Sequence, residues 1–350
     1  MSGPAGRLPA LQIHPTRRCN LRCLHCYSQS GPEVTEQLEL ELLLRTIGDA
    51  ADLGYRVLAV SGGEPLLYEP LPAVLRAAHE CGLVTTVTTN GMRLNRRQLE
   101  RLEPDTDLIA ISLDGIPESH AEMRASSRAF DSMAARLPAL RASGIPFGFI
   151  FTLTYHNVHE LDWVARFAVE QGAQLLQIHP LEPVGRAARE LDESIPDLQE
   201  NVYALVEACR LRGLYEDRIQ IQVDLATLPG IAEHPEQVFA DRAEIDGSAV
   251  FADFMAPIVL ETSGIVAPLQ YGFPRAWVFG NVHDAPLHEL AREWVRTRGN
   301  AFRRLCCDVR DSILERPDAG VVNWYVEVHR AAEAHVPDCS TSQPPRVASA

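Results

Sequence analysis

Three cysteines stand within eight residues near the start of the chain, in Cys19-Asn20-Leu21-Arg22-Cys23-Leu24-His25-Cys26, with the spacing C-x3-C-x2-C. Three thiolates hold three corners of a cubane iron–sulfur cluster and leave its fourth iron open to another ligand. A structural zinc site closes with four ligands, so three thiols alone leave it incomplete. His25 or His14 could supply the fourth, and both metals stand at this point.

The elements that must position this loop read as α/β. Strand-like runs fall at Leu11–His14, Val57–Ser61, Val84–Thr88, Leu108–Leu113, Phe147–Leu153 and Gln174–His179. Amphipathic helical stretches lie between and after them, at Gln37–Leu53, Leu71–Cys81, Arg96–Leu102, Phe130–Ser143, Leu161–Gln171 and Asp197–Arg212. Repeated β-α-β-α order predicts a parallel sheet with helices outside. Six units are too few for a closed eight-stranded barrel, so the expected fold is a partial (β/α)6 barrel of TIM type. Chemistry in such folds sits beyond the carboxyl ends of the strands. The unusual loops all fall there: the cysteines after the first strand, Gly62-Gly63-Glu64-Pro65 after the second, Thr89-Asn90-Gly91 after the third, Asp114-Gly115 at the end of the fourth, Thr154 to Asn157 after the fifth, and Pro183-Val184-Gly185-Arg186-Ala187 after the sixth.

After about residue 225 the alternation stops. A strand pair is expected at Pro257–Glu261 and Gly264–Ala267 around the turn Thr262-Ser263-Gly264, then a helix at Leu287–Thr297. The expected organisation is a tail over 1–9, the barrel over 10–225, a smaller α+β extension over 226–335, and a disordered Pro/Ser/Thr-rich tail over 336–350.

The formal net charge of −15 argues against a nucleic-acid backbone as partner. No run of about 18 apolar residues suggests a membrane span, and the first residues lack a signal-peptide core, so a cytoplasmic protein is expected. In a reducing compartment the clustered thiols read as metal ligands rather than disulfides. Cys81 and Cys209, alone in apolar stretches, read as buried spectators.

Cys19-x3-Cys23-x2-Cys26 followed by Ser61-Gly62-Gly63-Glu64-Pro65 resembles the radical S-adenosylmethionine (SAM) superfamily, over about residues 9 to 225. The resemblance implies that Cys19, Cys23 and Cys26 ligate one 4Fe-4S cluster, whose open iron chelates the amino and carboxylate groups of SAM; zinc then falls away. It implies that His25 lies near the adenine. Gly62, Gly63 and Glu64 receive the methionyl amino group: glycine allows close backbone approach, and a carboxylate accepts a charge-assisted bond from an ammonium. Ser112 and Asp114 hold the ribose hydroxyls, with helix capping the alternative for Asp114. Asn90 lies near the methionine carboxylate, although N-G is also a plain turn. Arg124 pairs with that carboxylate, and Asn157 matches an Asn beyond the fifth strand.

Pro183-Val184-Gly185-Arg186-Ala187 resembles a segment of members that carry SPASM or twitch extensions, which bind auxiliary clusters. Here Gly264–Gln270 and Phe279-Gly280-Asn281-Val282 look like the start of such an extension, but no cysteine stands near Leu269 or Gln270. Only Cys306, Cys307 and Cys339 remain downstream, so the extension is expected to bind no cluster. The activity implied is reductive cleavage of SAM to a 5′-deoxyadenosyl radical that abstracts a substrate hydrogen, with a flavodoxin- or ferredoxin-type electron donor. A ribosomally made peptide is the first substrate expected. A small molecule (sugar, nucleoside or cofactor precursor) is the second, and a non-catalytic cluster-binding partner is the third reading.

Overall fold

The computed structural model describes residues 8–239, 250–316 and 320–335. The tail expected at 336–350, and Cys339 within it, lie outside the described residues. Strands β1 (Ala10–Ile13), β2 (Val57–Val60), β3 (Val84–Thr89), β4 (Leu108–Ser112), β5 (Phe147–Leu153), β6 (Leu175–Pro180) and β7 (Gln220–Val223) pair in parallel, each with the next. The mixed α/β partial barrel expected from the sequence is therefore present, with β7 as an additional strand. Gln220-Ile221-Gln222-Val223 is short and half polar, which hid it among the loop residues.

The extension joins the same sheet. After β8 (Ala226–Thr227), strand β9 (Ile258–Leu260) pairs in parallel with β1, and β10 (Ile265–Pro268) and β11 (Gly280–Asn281) continue antiparallel beyond it. A small ribbon joins β8 to β12 (Val321–Val322). The strand pair read from the sequence thus forms, and it continues the barrel's own sheet. Buried hydrogen bonds fasten the seam: Thr262 Oγ1 donates to the His14 carbonyl at 2.7 Å, and the Tyr55 hydroxyl to the Met255 carbonyl at 2.7 Å. Helices at Asn300–Leu314 and Trp324–Ala334 complete the extension.

Period-2 alternation decides what each strand shows to each side. Leu11, Ile13, Leu58, Val60, Val87, Ile109, Ile111, Leu176 and Ile178 are essentially fully buried in one core with the helices. Each such side chain contributes about 1.5–3 kcal/mol. In a parallel ladder register partners share a face, so the other face carries Gln12, Ala59, Thr86, Thr88, Ala110, Ser112, Ile150, Thr152, Gln177, His179 and Gln222. Ala10, Val57, Val84, Leu108, Gly148 and Leu175 also lie on it near the strand starts, so the concave face is apolar there and polar toward the carboxyl ends of the strands.

Two cysteine expectations are corrected. Cys81 and Cys209 are exposed. Cys81 follows the last residue of helix Leu71–Glu80, where the chain turns at Gly82. Cys209 lies on helix Leu198–Leu214, whose Leu198, Val202 and Val206 are themselves exposed, so apolar neighbours did not signal burial. The single helix expected over Phe130–Ser143 is two, Ala129–Ala134 and Leu137–Ser143, the second carrying Pro138 in its first turn.

Candidate active site

The cysteine loop leaves the carboxyl end of β1 and is held from several strand ends. After β2, the Gly63 amide donates to the Thr16 carbonyl at 2.8 Å and the Glu64 amide to the Arg18 carbonyl at 2.9 Å. A Cβ on Gly63 would stand 2.3 Å from the Arg18 oxygen, and one on Gly62, which has φ 117°, 2.6 Å from the Thr16 oxygen. The two glycines therefore serve the packing of one loop against the other. After β3, Asn90 Nδ2 donates to Asn20 Oδ1 at 3.0 Å. After β4, the Leu24 amide donates to the Met123 carbonyl at 3.0 Å.

The strongest clamp comes from the loop after β6. Buried Arg186 donates from Nη1 to the Cys23 carbonyl at 2.5 Å and from Nη2 to the Ser30 carbonyl at 2.8 Å, and its amide donates to the Cys26 carbonyl at 3.0 Å. Gly185 makes the approach possible: its φ is 67°, and a Cβ there would stand 2.1 Å from the Tyr27 oxygen. The sequence showed this segment as a motif without showing that Arg186 braces the cysteines.

Each thiol has a polar neighbour. The Leu21 amide points to Cys19 Sγ at 3.4 Å, Arg124 Nη1 to Cys23 Sγ at 3.6 Å, and the Ser30 amide to Cys26 Sγ at 3.3 Å. Donors aimed at sulfur suit thiolates. Burial, with the Glu64 charge adding to it, pushes the Cys19 thiol up to about 12, and burial raises Cys23 as well. A cation must then replace the protons, which is what iron does. Among the described residues no group of three or more His, Cys, Asp or Glu side chains is gathered to hold a single metal ion. Three thiols on one loop, each with a donor at its sulfur, suit three corners of a cubane; His14, which could have closed a zinc site, instead contacts Gln12 and two tyrosines.

Around this loop the structure places the other candidates as follows. Glu64 is fully buried, accepting from Thr89 Oγ1 at 2.7 Å, the Asn90 amide at 2.9 Å and the Leu66 amide at 3.1 Å. Burial raises its pKa against those three bonds. The Asn90 side chain binds Asn20 and accepts from the Met92 amide, so it shapes its own turn. Ser112 is half-buried on the concave face. Asp114 is fully buried and ion-paired with Arg124, Nε to Oδ2 at 2.6 Å. Burial alone would raise the Asp114 pKa, but Arg124, followed by His25 and His120, outweighs it and holds the carboxyl at about 2. Arg124 thus links Asp114 to the Cys23 sulfur. Asp114 and Arg124, each expected at the SAM site, stand together there as an ion pair. Asn157 bonds the Asp114 and Thr152 carbonyls.

His25 is half-buried beside Cys26, with a buried Nδ1 that has no protein partner. Burial pushes its pKa down to about 4, so the ring is neutral at pH 7. Two residues not singled out in the sequence complete the wall. The Tyr27 hydroxyl lies 3.0 Å from Ser61 Oγ, and the Tyr271 ring, from the extension, lies 4.7 Å from His14 and 5.6 Å from Tyr27. Tyr27 directly follows the third cysteine of the loop, the one signal that pointed to it; Tyr271 had none.

A parallel partial barrel with a three-cysteine loop at its carboxyl rim defines a class of iron–sulfur enzymes. Residues 13–168 match the family model described as the Radical SAM superfamily. The chain is 31% identical over 295 residues to the Fe-coproporphyrin III synthase of Methanosarcina barkeri, covering 81% of this chain and 73% of that protein. It is 32% identical over 215 residues to the PqqA peptide cyclase of Ruegeria pomeroyi, covering 58% of this chain and 56% of that protein. The solved structure of anSMEcpe with bound AdoMet and the Cp18Cys peptide shares the fold, with a TM-score of 0.62 at 17% identity over 93% of this chain and 96% of that one. The chain belongs to the radical SAM superfamily, enzymes that use a 4Fe-4S cluster and SAM. Among the described residues no helix is long and apolar enough to cross a membrane.

Proposed function

We propose that this radical SAM enzyme abstracts a hydrogen atom from a substrate seated against the concave face of the barrel, toward the carboxyl ends of the strands, and that the substrate is a tetrapyrrole cofactor precursor. Cys19, Cys23 and Cys26 would hold the cluster, with Arg186 bracing their loop. His25 offers its neutral ring to the adenine, and Ser112, at the end of β4 on the concave face, offers its hydroxyl to the ribose. Gly62, Gly63 and Glu64 bring the loop that meets the methionyl amino group up to the cysteines. Asp114 fixes Arg124 beside Cys23, so the pair acts as one unit on the cluster side of SAM. When bound, the cluster and SAM supply the electron and the 5′-deoxyadenosyl radical that takes the hydrogen. The protein excludes water and holds one C–H bond in reach. A flavodoxin- or ferredoxin-type protein is the proposed electron donor, 10–225 the proposed barrel core and 226–335 the proposed extension.

The observation that carries the substrate class is coverage. The similarity to the Fe-coproporphyrin III synthase spans 81% of this chain, more than the barrel segment alone can hold, so it includes part of the extension, which contributes Tyr271 to the site. The peptide expected from the sequence is the second reading. It is supported by the PqqA peptide cyclase, which matches over 58% of this chain.

The test is anaerobic turnover of reconstituted enzyme with dithionite and SAM. Iron-coproporphyrin III is offered in one arm and a pool of synthetic peptides in the other, with 5′-deoxyadenosine and the mass of the acceptor followed. The porphyrin should stimulate 5′-deoxyadenosine formation and change mass. A mass change in a peptide, with the porphyrin unaltered, would overturn the first reading in favour of the second.

A further inference from the structure

Tyr271 follows β10 in the extension, yet three parts of the barrel rim surround it. Its ring lies 4.7 Å from that of His14, at the end of β1, and 5.6 Å from that of Tyr27, in the cysteine loop. The next residue, Gly272, meets the loop after β6, where an added Cβ would stand 3.6 Å from Val184 Cγ1. Four strands separate β1 from β6 in the sheet, so the loop carrying Tyr271 joins stretches of rim that the sheet keeps apart. The rings behind Tyr271 belong to the concave face. Gln12 Nε2 lies 3.0 Å from His14 Nε2, and the Tyr27 hydroxyl 3.0 Å from Ser61 Oγ, just past the end of β2.

The loop is built to hold one position. Buried Glu261 accepts from Arg275 Nη1 and Nη2, each at 2.8 Å, and from the Gly272 amide at 3.0 Å. Gln270 Nε2 lies 2.9 Å from His329 Nδ1, and the Leu269 amide donates to the Pro257 carbonyl at 2.9 Å. Leu269 itself has φ 63°, a left-handed conformation that is costly for a residue with a side chain. Such strain gathers at active sites and ligand clamps, where the surrounding structure enforces it. Among the described residues only Gln29, in the cysteine loop, and Ala125, beside Arg124, are non-glycines that share it, so all three stand around one site. Each of these contacts holds the backbone beside Tyr271 or its ring, and none uses its hydroxyl. The ring is half-buried, which leaves part of it open toward the seat.

An aromatic ring fixed at the edge of a substrate seat offers a flat face on which another conjugated plane stacks with an offset. We infer that Tyr271 is a specificity-determining residue, whose ring stacks on a planar conjugated part of the substrate and so sets which carbon faces the site. The assignment rests on the tetrapyrrole reading of the substrate and narrows it: a macrocycle presents such a plane, whereas a peptide backbone does not. Tyr27 and His14 back the ring, and Glu261 keeps its loop in place. The extension thereby gains a task in the reaction, which is to tell a flat substrate from a flexible chain.

Two measurements test it, both on reconstituted holoenzyme with SAM under anaerobic conditions. In the first, iron-coproporphyrin III is titrated into wild type, Tyr271→Phe and Tyr271→Leu and followed by its Soret absorption, with circular dichroism and iron content confirming the fold. Tyr271→Phe should bind within about twofold of wild type and Tyr271→Leu about tenfold more weakly. Wild-type affinity in Tyr271→Leu would overturn the assignment. In the second, protein labelled with fluorotyrosine is followed by fluorine NMR as metal-free coproporphyrin III is added, the Tyr271 resonance being the one absent from Tyr271→Phe. The ring current of the macrocycle should move that resonance upfield. A resonance that stays in place while the porphyrin binds would overturn the assignment even if Tyr271→Leu fails to fold. Wild type that binds neither porphyrin would overturn the tetrapyrrole reading and the assignment together, whereas binding with an unmoved resonance overturns the assignment alone.

Discussion

Arg186→Met removes the clamp on the cysteine loop while keeping most of the side chain's length. The guanidinium makes two buried charge-assisted bonds, to the Cys23 and Ser30 carbonyls, each of a kind that contributes about 1.5–3 kcal/mol. Taking the low end for both, the ordered loop loses about 3 kcal/mol, roughly a 150-fold shift toward disordered cysteines. The backbone bond from the Arg186 amide to Cys26 survives, so the loss falls on the Cys23 side. The assay is equilibrium competition for iron between reconstituted protein and a chelator, under anaerobic conditions, with Arg97→Met on the exposed face of helix Arg96–Leu102 as control. The chelator midpoint should fall by about two orders of magnitude in Arg186→Met and stay at wild type in Arg97→Met. Arg186→Lys should lie between, because an ammonium lacks the fork that reaches two carbonyls at once. A wild-type midpoint in Arg186→Met, with unchanged circular dichroism, would refute the bracing argument.

Gly63→Ala forces a Cβ to 2.3 Å from the Arg18 carbonyl; the loops must part, and iron content after reconstitution should drop well below wild type, whereas Gly213→Ala, with open space around it, should not change it. Acid should destabilise the apoprotein before its carboxylates titrate. His14 is fully buried, and burial lowers its pKa from 6.5 to about 3, so the unfolded chain binds a proton there that the folded chain refuses. Stability is then fully present above pH 6.5 and declines toward pH 3, by about 2 kcal/mol at pH 5. Urea midpoints at pH 7 and pH 5 should show this fall, and His14→Gln should remove that share of it; an equal slope in the variant would contradict the burial argument.

The cysteine loop, the strand ends that meet it and the α/β class were legible because they rest on spacing and period, which are local properties. Gly62-Gly63-Glu64 was legible as a loop at the site. That its glycines meet Thr16 and Arg18 was not, because a close backbone approach is a tertiary fact. The same holds for Asp114 and Arg124: position in the chain marked each as a site residue, and the 2.6 Å ion pair between them is visible only in the fold. Strand β7 escaped because half its residues are polar, and the parallel docking of β9 on β1 escaped because more than 240 residues separate the partners Leu11 and Ile258.

Cys19, Cys23 and Cys26 are proposed to hold a 4Fe-4S cluster, and that cluster to cleave SAM. The most direct measurement is iron and 5′-deoxyadenosine on the same anaerobically reconstituted, dithionite-reduced samples of wild type and the Cys19→Ala/Cys23→Ala/Cys26→Ala variant. Wild type should bind about four irons per chain and form 5′-deoxyadenosine, and the variant should bind none and form none. Iron remaining in the variant would place a cluster elsewhere, and wild type that binds iron but forms no more 5′-deoxyadenosine than the variant would contradict the enzyme assignment itself.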